Sequence, residues 1–200
     1  GLLAPERGEV LLDETPLAAI PIRERVRAIG YLPQSGEVAW DLSVRNLVAL
    51  GRLPHGDRGA APVARVLAAL DLGSLAARPV STLSGGEKAR ALLARVLAGE
   101  PHWILADEPL AALDLGHQLA LIAHLRRAAQ AGAGVVLVLH DLALAANHAD
   151  RVLVLDQGKL GADGPPEVAL EPAVIELGWR GSARWLGEPG TRALVADQNS

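Results

Sequence analysis

Leu83-Ser84-Gly85-Gly86-Glu87 opens a run with helical spacing, and Trp103-Ile104-Leu105-Ala106-Asp107-Glu108-Pro109 follows it, with Leu113-Asp114 close behind. Two glycines start the helix and two adjacent carboxylates end an apolar strand. Both are costly unless something binds there, because a helical Gly costs about 1 kcal/mol against Ala and charge at the end of a buried strand needs a partner. Ser84-x-x-Glu87 is also a capping box, which stabilises a helix start with no ligand at all. A capping box needs no glycines inside it, whereas an anion approaching bare N–H groups at a positive helix end would offset their cost. The two readings are compatible: Ser84 and Glu87 shape the turn, and Gly85 and Gly86 leave room for phosphate.

Outward from this stretch, periodicity predicts alternating strands and helices. Glu9–Asp13 and Arg27–Leu32 read as short strands, the second stopped by Pro33 and followed by Gln34. Ser43 to Gly51 reads as a short helix with Ser43 as N-cap. Leu53 to Pro62 is a Gly/Pro/His-rich loop, the least ordered-looking segment, and Val63 to Leu72 has helical spacing. Gly85 to Ala98 and Gly116 to Ala131 read as helices on either side of the strand Trp103–Ala106. Val135 to Leu139 is a near-continuous β run of the kind buried on both faces, ending at His140. Asp141 can cap a helix to Ala149. Arg151–Asp156, the turn Gln157-Gly158 and Lys159 onward read as a hairpin, followed after Pro165 by two short helical pieces and a polar tail. This rhythm predicts an α/β fold, a parallel sheet with flanking helices on both faces.

Two hundred residues, half of them hydrophobic and none of them Phe, suit one domain with an aliphatic core. A formal net charge of -4 argues against a nucleic-acid surface. The absence of cysteine rules out a disulfide framework or thiolate metal site. No apolar run reaches the roughly 18–20 residues that span a bilayer. The chain has no methionine, and Gly1-Leu2-Leu3-Ala4-Pro5 reads like the end of a helix, so the N-terminus is expected to have been cut off.

Three apolar strands end in polar residues: Gln34, Asp107-Glu108 and His140. In an open parallel sheet, ligands sit at the C-terminal edge of the strands, so these residues are expected to converge on one site. Asp107 and Glu108 point in different directions. One carboxylate can face a Mg2+ shell, and the other can orient and deprotonate a water for attack on phosphorus. The plainer alternative is a solvated loop with Asp107 capping the next turn. His140 alone would be an ordinary satisfied histidine, but its place at the sheet edge favours a bond to a phosphate oxygen or a catalytic water. Gln34 could join the metal shell or hold the attacking water.

These residues resemble a known family. Leu83–Glu87 looks like the signature motif of ABC-type ATPases, Ile104–Pro109 like their Walker B strand, Ala112-Leu113-Asp114 like the D-loop, Tyr31-Leu32-Pro33-Gln34 like the Q-loop, and Leu139-His140-Asp141 like the switch histidine. All five occur in family order, and the resemblance runs from about Gly1 to about Gly178. It implies a P-loop NTPase-like sheet carrying a small α-helical subdomain at residues 40–100, within a single partial ABC ATPase domain over 1–200 that ends in helices and a tail at 165–200. It implies ATP and Mg2+ as cofactors. Glu108 would be the general base, Asp107 would hold Mg2+ through water, His140 would contact the γ-phosphate, and Gln34 would sense the metal and couple to the membrane partner. Ser84, Gly85, Gly86 and Glu87 would bind, in trans, the nucleotide held by a second subunit, and Asp114 would lie at the dimer contact. The implied partners are a second copy or paired ATPase subunit and a transmembrane permease, with no nucleic acid. The implied location is the cytoplasmic face of the inner or plasma membrane.

A narrower resemblance, to the ATPases of importers for iron-siderophore, haem and vitamin B12, rests on Val48–His55, Asp114-Leu115-Gly116-His117-Gln118, Ala149–Val152 and Gly164–Val168. Four departures stand against the family pattern. No Gly-x-x-x-x-Gly-Lys-Ser/Thr loop (Walker A) occurs in the chain, the family's upstream aromatic that stacks on adenine is also absent, Leu110 and Ala111 replace a common Thr-Ser, and Glu14 stands where a turn glycine is common. The family places that loop upstream of Gly1, on a strand central to the sheet. The chain alone is therefore expected neither to hydrolyse ATP at a normal rate nor to fold stably. A catalytically incompetent binding or regulatory module of the same family is the alternative. A soluble ABC ATPase acting on DNA or ribosomes is a third reading, disfavoured by the lack of a coiled-coil insertion or second cassette.

Overall fold

The computed structural model describes residues 5–34, 41–57, 59–111, 113–179 and 183–196, side chains at 177–179 and 196 excepted. The expected helix end at Gly1–Ala4, residue Trp40 of the helical subdomain, Ala112 of the D-loop and the last residues of the tail lie outside them. The chain forms two compact units, Gly1–Val138 and Leu139–Ser200.

In the first unit, β1 (Leu11–Leu12) and β2 (Thr15–Pro16) form a small antiparallel hairpin. Asp13 (φ 47°) and Glu14 (φ 65°) turn it, so Glu14 takes the left-handed conformation that glycine usually supplies. Helix α1 (Ile22–Ala28) leads directly into β3 (Ile29–Leu32). The strand expected from Arg27 is thus corrected: Arg27 and Ala28 are the last turn of a helix. Nothing in α1 is buried: Ile22 and Val26, one helical turn apart, are both exposed, and a two-residue apolar pattern among charged neighbours is too short to mark a helix.

Helix α2 (Val44–Ala49) begins at Ser43, whose Oγ accepts from the Asn46 N–H at 3.3 Å. It does not stop at Gly51 but tightens into a 3-10 turn over Leu50–His55. Gly51 lies so close to the Arg95 carbonyl that a Cβ there would overlap it. The next residue, Arg52, is only 6% exposed. It donates to Asp57 at 2.7 and 3.0 Å, to Glu100 at 2.8 Å and to the Ala98 carbonyl at 3.2 Å. Arg23 and Arg27 both donate to the Pro54 carbonyl. The segment that composition marks as least ordered is therefore pinned by guanidinium groups, and α3 (Ala60–Ala69) starts earlier than its apolar spacing suggested.

Helix α4 (Gly85–Ala98) has the bounds expected of it, with Ala91, Leu93, Ala94 and Ala98 fully buried. It packs on α2, α3 and β3. Strand β4 (Trp103–Asp107) is the middle of a three-stranded parallel sheet, between β3 and β5 (Gly134–Val138), with α5 (Leu115–Gln130) connecting β4 to β5. The register sets Leu32 beside Ala106 and Asp107 beside Val138. Ile104 and Ala106 are buried, as a central strand requires. The expectation that β5 is covered on both faces is corrected: Val136 and Val138 are 46% and 49% exposed. Among the described residues β5 pairs with β4 alone, and a strand paired on one side leaves part of its apolar surface in water.

In the second unit, Asp141 caps α6 (Leu142–His148), its Oδ1 accepting the N–H groups of Ala143 and Leu144 at 2.8 and 3.0 Å. Strands β6 (Val152–Asp156) and β7 (Lys159–Gly164) form the expected hairpin through Gln157-Gly158, both at positive φ. Two short helices follow, α7 (Pro166–Ala169) and α8 (Pro172–Trp179). The stretch read as a polar tail instead pairs β8 (Ala183–Leu186) with β9 (Ala193–Ala196). This hairpin is held from outside its own sequence: Trp185 Nε1 donates to the Leu170 carbonyl at 2.7 Å, and Asn147 exchanges two bonds with the Arg192 backbone.

Candidate active site

The C-terminal ends of β3 and β4 bring together three of the expected site residues. Strand β3 ends at Leu32, and Pro33 breaks the ladder, which releases Gln34. Its Nε2 donates to Glu108 Oε2 at 2.7 Å. The Gln34 amide therefore holds the carboxylate expected to act as base, a partner not anticipated for either residue. A carboxylate that accepts such a bond has that oxygen held in a fixed direction.

Glu108 is placed by its backbone as much as by Gln34. Its N–H donates to the Val138 carbonyl at 3.1 Å, continuing the β4–β5 ladder by one residue, while its φ of 44° turns the chain out of the strand. A left-handed glutamate is uncommon, and such conformations persist where the surroundings over-determine them, often at functional sites. Asp107 stays in the strand, half-buried. Tyr31 Oη stands 3.5 Å from Asp107 Oδ2, at the long limit of a hydrogen bond. Tyr31 is the chain's only tyrosine, and sequence reasoning gave it no role. Its position three residues before Gln34 was the available signal.

The other cluster is the first turn of α4. Ser84 Oγ accepts the Glu87 N–H at 3.3 Å and the Ser84 N–H donates to Glu87 Oε2 at 2.8 Å, a complete capping box. The Ser84 backbone N–H first, and then the Ser84 hydroxyl, hold the Glu87 carboxyl below its ordinary value. The two capping bonds satisfy Ser84 and Glu87 but leave the N–H groups of Gly85 and Gly86 with no intrahelical acceptor, a fit for an anion's oxygens. The reason expected for Gly86 is only part of the answer. Gly86 is buried, and a Cβ there would overlap the imidazole of His117.

His117 is held by Asp114. The Asp114 carboxylate accepts the His117 backbone N–H at 3.0 Å, capping α5, and sits 2.7 and 2.8 Å from Nδ1. The backbone bond, then the side-chain bond, lowers the Asp114 carboxyl. Gln118 Nε2 donates to the Leu110 carbonyl at 3.2 Å, securing the loop that follows Glu108. His140 belongs to the second unit, exposed and next to the cap residue Asp141.

Among the described residues no group of three or more His, Cys, Asp or Glu could hold a metal ion. Mg2+ does not require such a group, since it takes one or two carboxylates and completes its shell with waters and substrate phosphates. Asp107, half-buried at the end of β4, is one such carboxylate.

A profile of the family described as ABC transporter matches residues 1–111, more than half of the chain. The chain belongs to the ABC transporter family. Relatives of this ABC chain include the hemin import ATP-binding protein HmuV of Nocardia farcinica, 43% identical over 200 residues, covering 98% of this chain and 69% of the relative. The protein of the same description from Pseudomonas putida is 44% identical over 184 residues, covering 88% and 72%. Among solved structures, an inward-facing ABC transporter described as of metal-chelate type aligns with a TM-score of 0.76 at 26% identity, covering 86% of this chain and 73% of that one. A nucleotide-free ATP-binding cassette from an ABC transporter has the same fold, with a TM-score of 0.78 at 21% identity over 88% and 79% of the two chains. The family and the α/β fold implied by the five ordered motifs are the ones found.

Proposed function

We propose that this chain is the ATP-hydrolysing subunit of an importer that takes up hemin or a closely related iron chelate. The observation that carries the enzymatic part is the Gln34–Glu108 pair at the end of β4, a carboxylate oriented at 2.7 Å beside a second carboxylate. Glu108 would accept a proton from the water that attacks the γ-phosphorus of ATP in line, as the bond to the β,γ-bridging oxygen breaks and ADP leaves. Gln34 would keep the carboxylate aimed, and the γ-phosphate contact is the role the family resemblance gives His140. Mg2+, when bound, supplies charge neutralisation on the phosphates, and Asp107 would hold it through water. Ser84, Gly85, Gly86 and Glu87 form the face offered to a nucleotide on the second subunit, with Asp114 at the contact between the two.

The domain reading is one ABC ATPase domain over residues 1–200, with a helical signature subdomain at 40–100 and C-terminal helices beyond 165. A cleft between α1, the Leu50–His55 turn and the end of α4 supports docking of a permease on this subdomain. Val26, Ile29, Leu50, Pro54 and Val96 line it, together with Arg95, whose partial burial disfavours its charge. No helix among the described residues is long and apolar enough to cross a membrane; in this proposal attachment at the cytoplasmic face comes through the permease. The net charge of -4 supports the absence of a nucleic-acid partner. The hemin assignment rests on the names carried by the relatives.

The test is uptake. The natural gene product, assembled with its permease in proteoliposomes, is expected to accumulate hemin in an ATP-dependent way. Accumulation of cobalamin or a ferric siderophore with no hemin uptake would overturn the substrate.

A further inference from the structure

The residues that fill the space above Gly86 have no place in the mechanism so far. The His117 ring occupies the volume that a Cβ on Gly86 would need. That ring is not free to move aside, because both oxygens of Asp114 lie within 2.8 Å of its Nδ1 and the same carboxylate caps the helix that carries it. The neighbouring Gln118 holds the Leu110 carbonyl, and the Ala111 N–H bonds the Glu108 carbonyl at 3.3 Å. A chain of direct contacts thus runs from Glu108 through its loop and the start of α5 to the first turn of α4. Packed contacts of this kind have few alternative arrangements, so a shift at one end is felt at the other.

We propose that His117, clamped by Asp114, is a positioning residue: its imidazole sets the spacing between the loop after Glu108 and the anion-facing turn Ser84–Gly86. This rests on the reading above, in which that turn receives phosphate. Gly86 is then a glycine for two reasons, the exposed N–H and the ring seated on its Cα. The second reason is private to one subunit and can be tested apart from nucleotide binding.

The experiment is a double-mutant cycle on steady-state ATP hydrolysis by the natural gene product assembled with its permease. Gly86→Ala places a methyl against the ring and is expected to lower kcat by roughly tenfold or more, as misplacement of a site does. His117→Ala is expected to lower it as well, by loosening the spacing. In the double variant the methyl enters space the ring has left, so its activity should equal or exceed that of His117→Ala alone. If the two losses multiply instead, Gly86 serves only the phosphate and the proposal is overturned. His117→Gln, which can fill the space and offer an amide N–H to Asp114, should recover most of the kcat lost in His117→Ala at an unchanged thermal midpoint. Equal kcat for Gln and Ala, or no loss in Ala, overturns the proposal even where Gly86→Ala fails to fold. Glu108→Gln measured alongside separates the two levels: normal turnover in that variant defeats the enzymatic reading, whereas multiplying losses with an inactive Glu108→Gln defeat the positioning role alone.

Discussion

Gln34 and Glu108 illustrate what a single hydrogen bond decides. The amide of Gln34 could have served metal or water; instead it donates to the carboxylate that it was expected to work beside. A bond to a charged group is worth about 1.5–3 kcal/mol, and about 1.4 kcal/mol is tenfold in rate. Gln34→Ala is therefore expected to lower kcat by about tenfold while KM for ATP changes little, since the loss falls on the base rather than on nucleotide binding. A pure KM effect in a steady-state titration would return Gln34 to the binding shell. Residue identity at this site was legible: Gln34, Asp107 and Glu108 all follow apolar strands. What was not legible is the left-handed φ of Glu108 and the seat of His117 on Gly86. Both depend on contacts between segments far apart in sequence, which no local pattern encodes.

At the scale of elements, α4 and β4 were read almost to the residue because each satisfies several signals at once. Helix α4 has a capping box, an apolar stripe and helix-forming residues, and β4 is a short aliphatic run between breakers. Helix α1 was missed because it buries nothing, and the start of α3 was missed because Pro62 reads as a loop residue although proline is tolerated in a helix's first turn. The buried elements also bear the stability. Leu93→Ala or Ile104→Ala, both at fully buried positions, is expected to cost about 2–5 kcal/mol, read from the denaturant midpoint at constant m. The capping box makes a pH prediction. The folded Glu87 carboxyl lies below its ordinary value of 4.5. Its contribution to stability is therefore fully present above that value and is lost as pH falls through the lower folded value. The stability difference between the wild type and Glu87→Gln should be constant at neutral pH and vanish on acidification; a difference that grows in acid would contradict the assigned bond.

For the molecule as a whole, the sheet places the site and also shows where the chain is open. The order β3–β4–β5 makes β4 central and leaves Val136 and Val138 of β5 half in water. On β6 of the second unit, Leu153 and Leu155 are exposed as well, at 58% and 70%. A β run as apolar as Val135–Leu139 reads as a strand covered on both faces, but the pattern measures suitability for burial and does not count the partners that provide it. No Gly-x-x-x-x-Gly-Lys-Ser/Thr sequence lies within residues 1–200, and such a loop supplies the cradle for the β- and γ-phosphates. The polypeptide 1–200 expressed by itself is accordingly expected to show no ATPase activity above background and to unfold in more than one step, followed by phosphate release and by calorimetry. Mg2+-dependent hydrolysis together with a single cooperative transition would refute this. The central claim concerns Glu108 as the base of an ATPase, and its most direct test is single-site turnover in the assembled transporter. Glu108→Gln should keep ATP binding and lose about 10²–10⁴-fold in the rate of phosphate release; release at the wild-type rate from a variant that still binds ATP would contradict it.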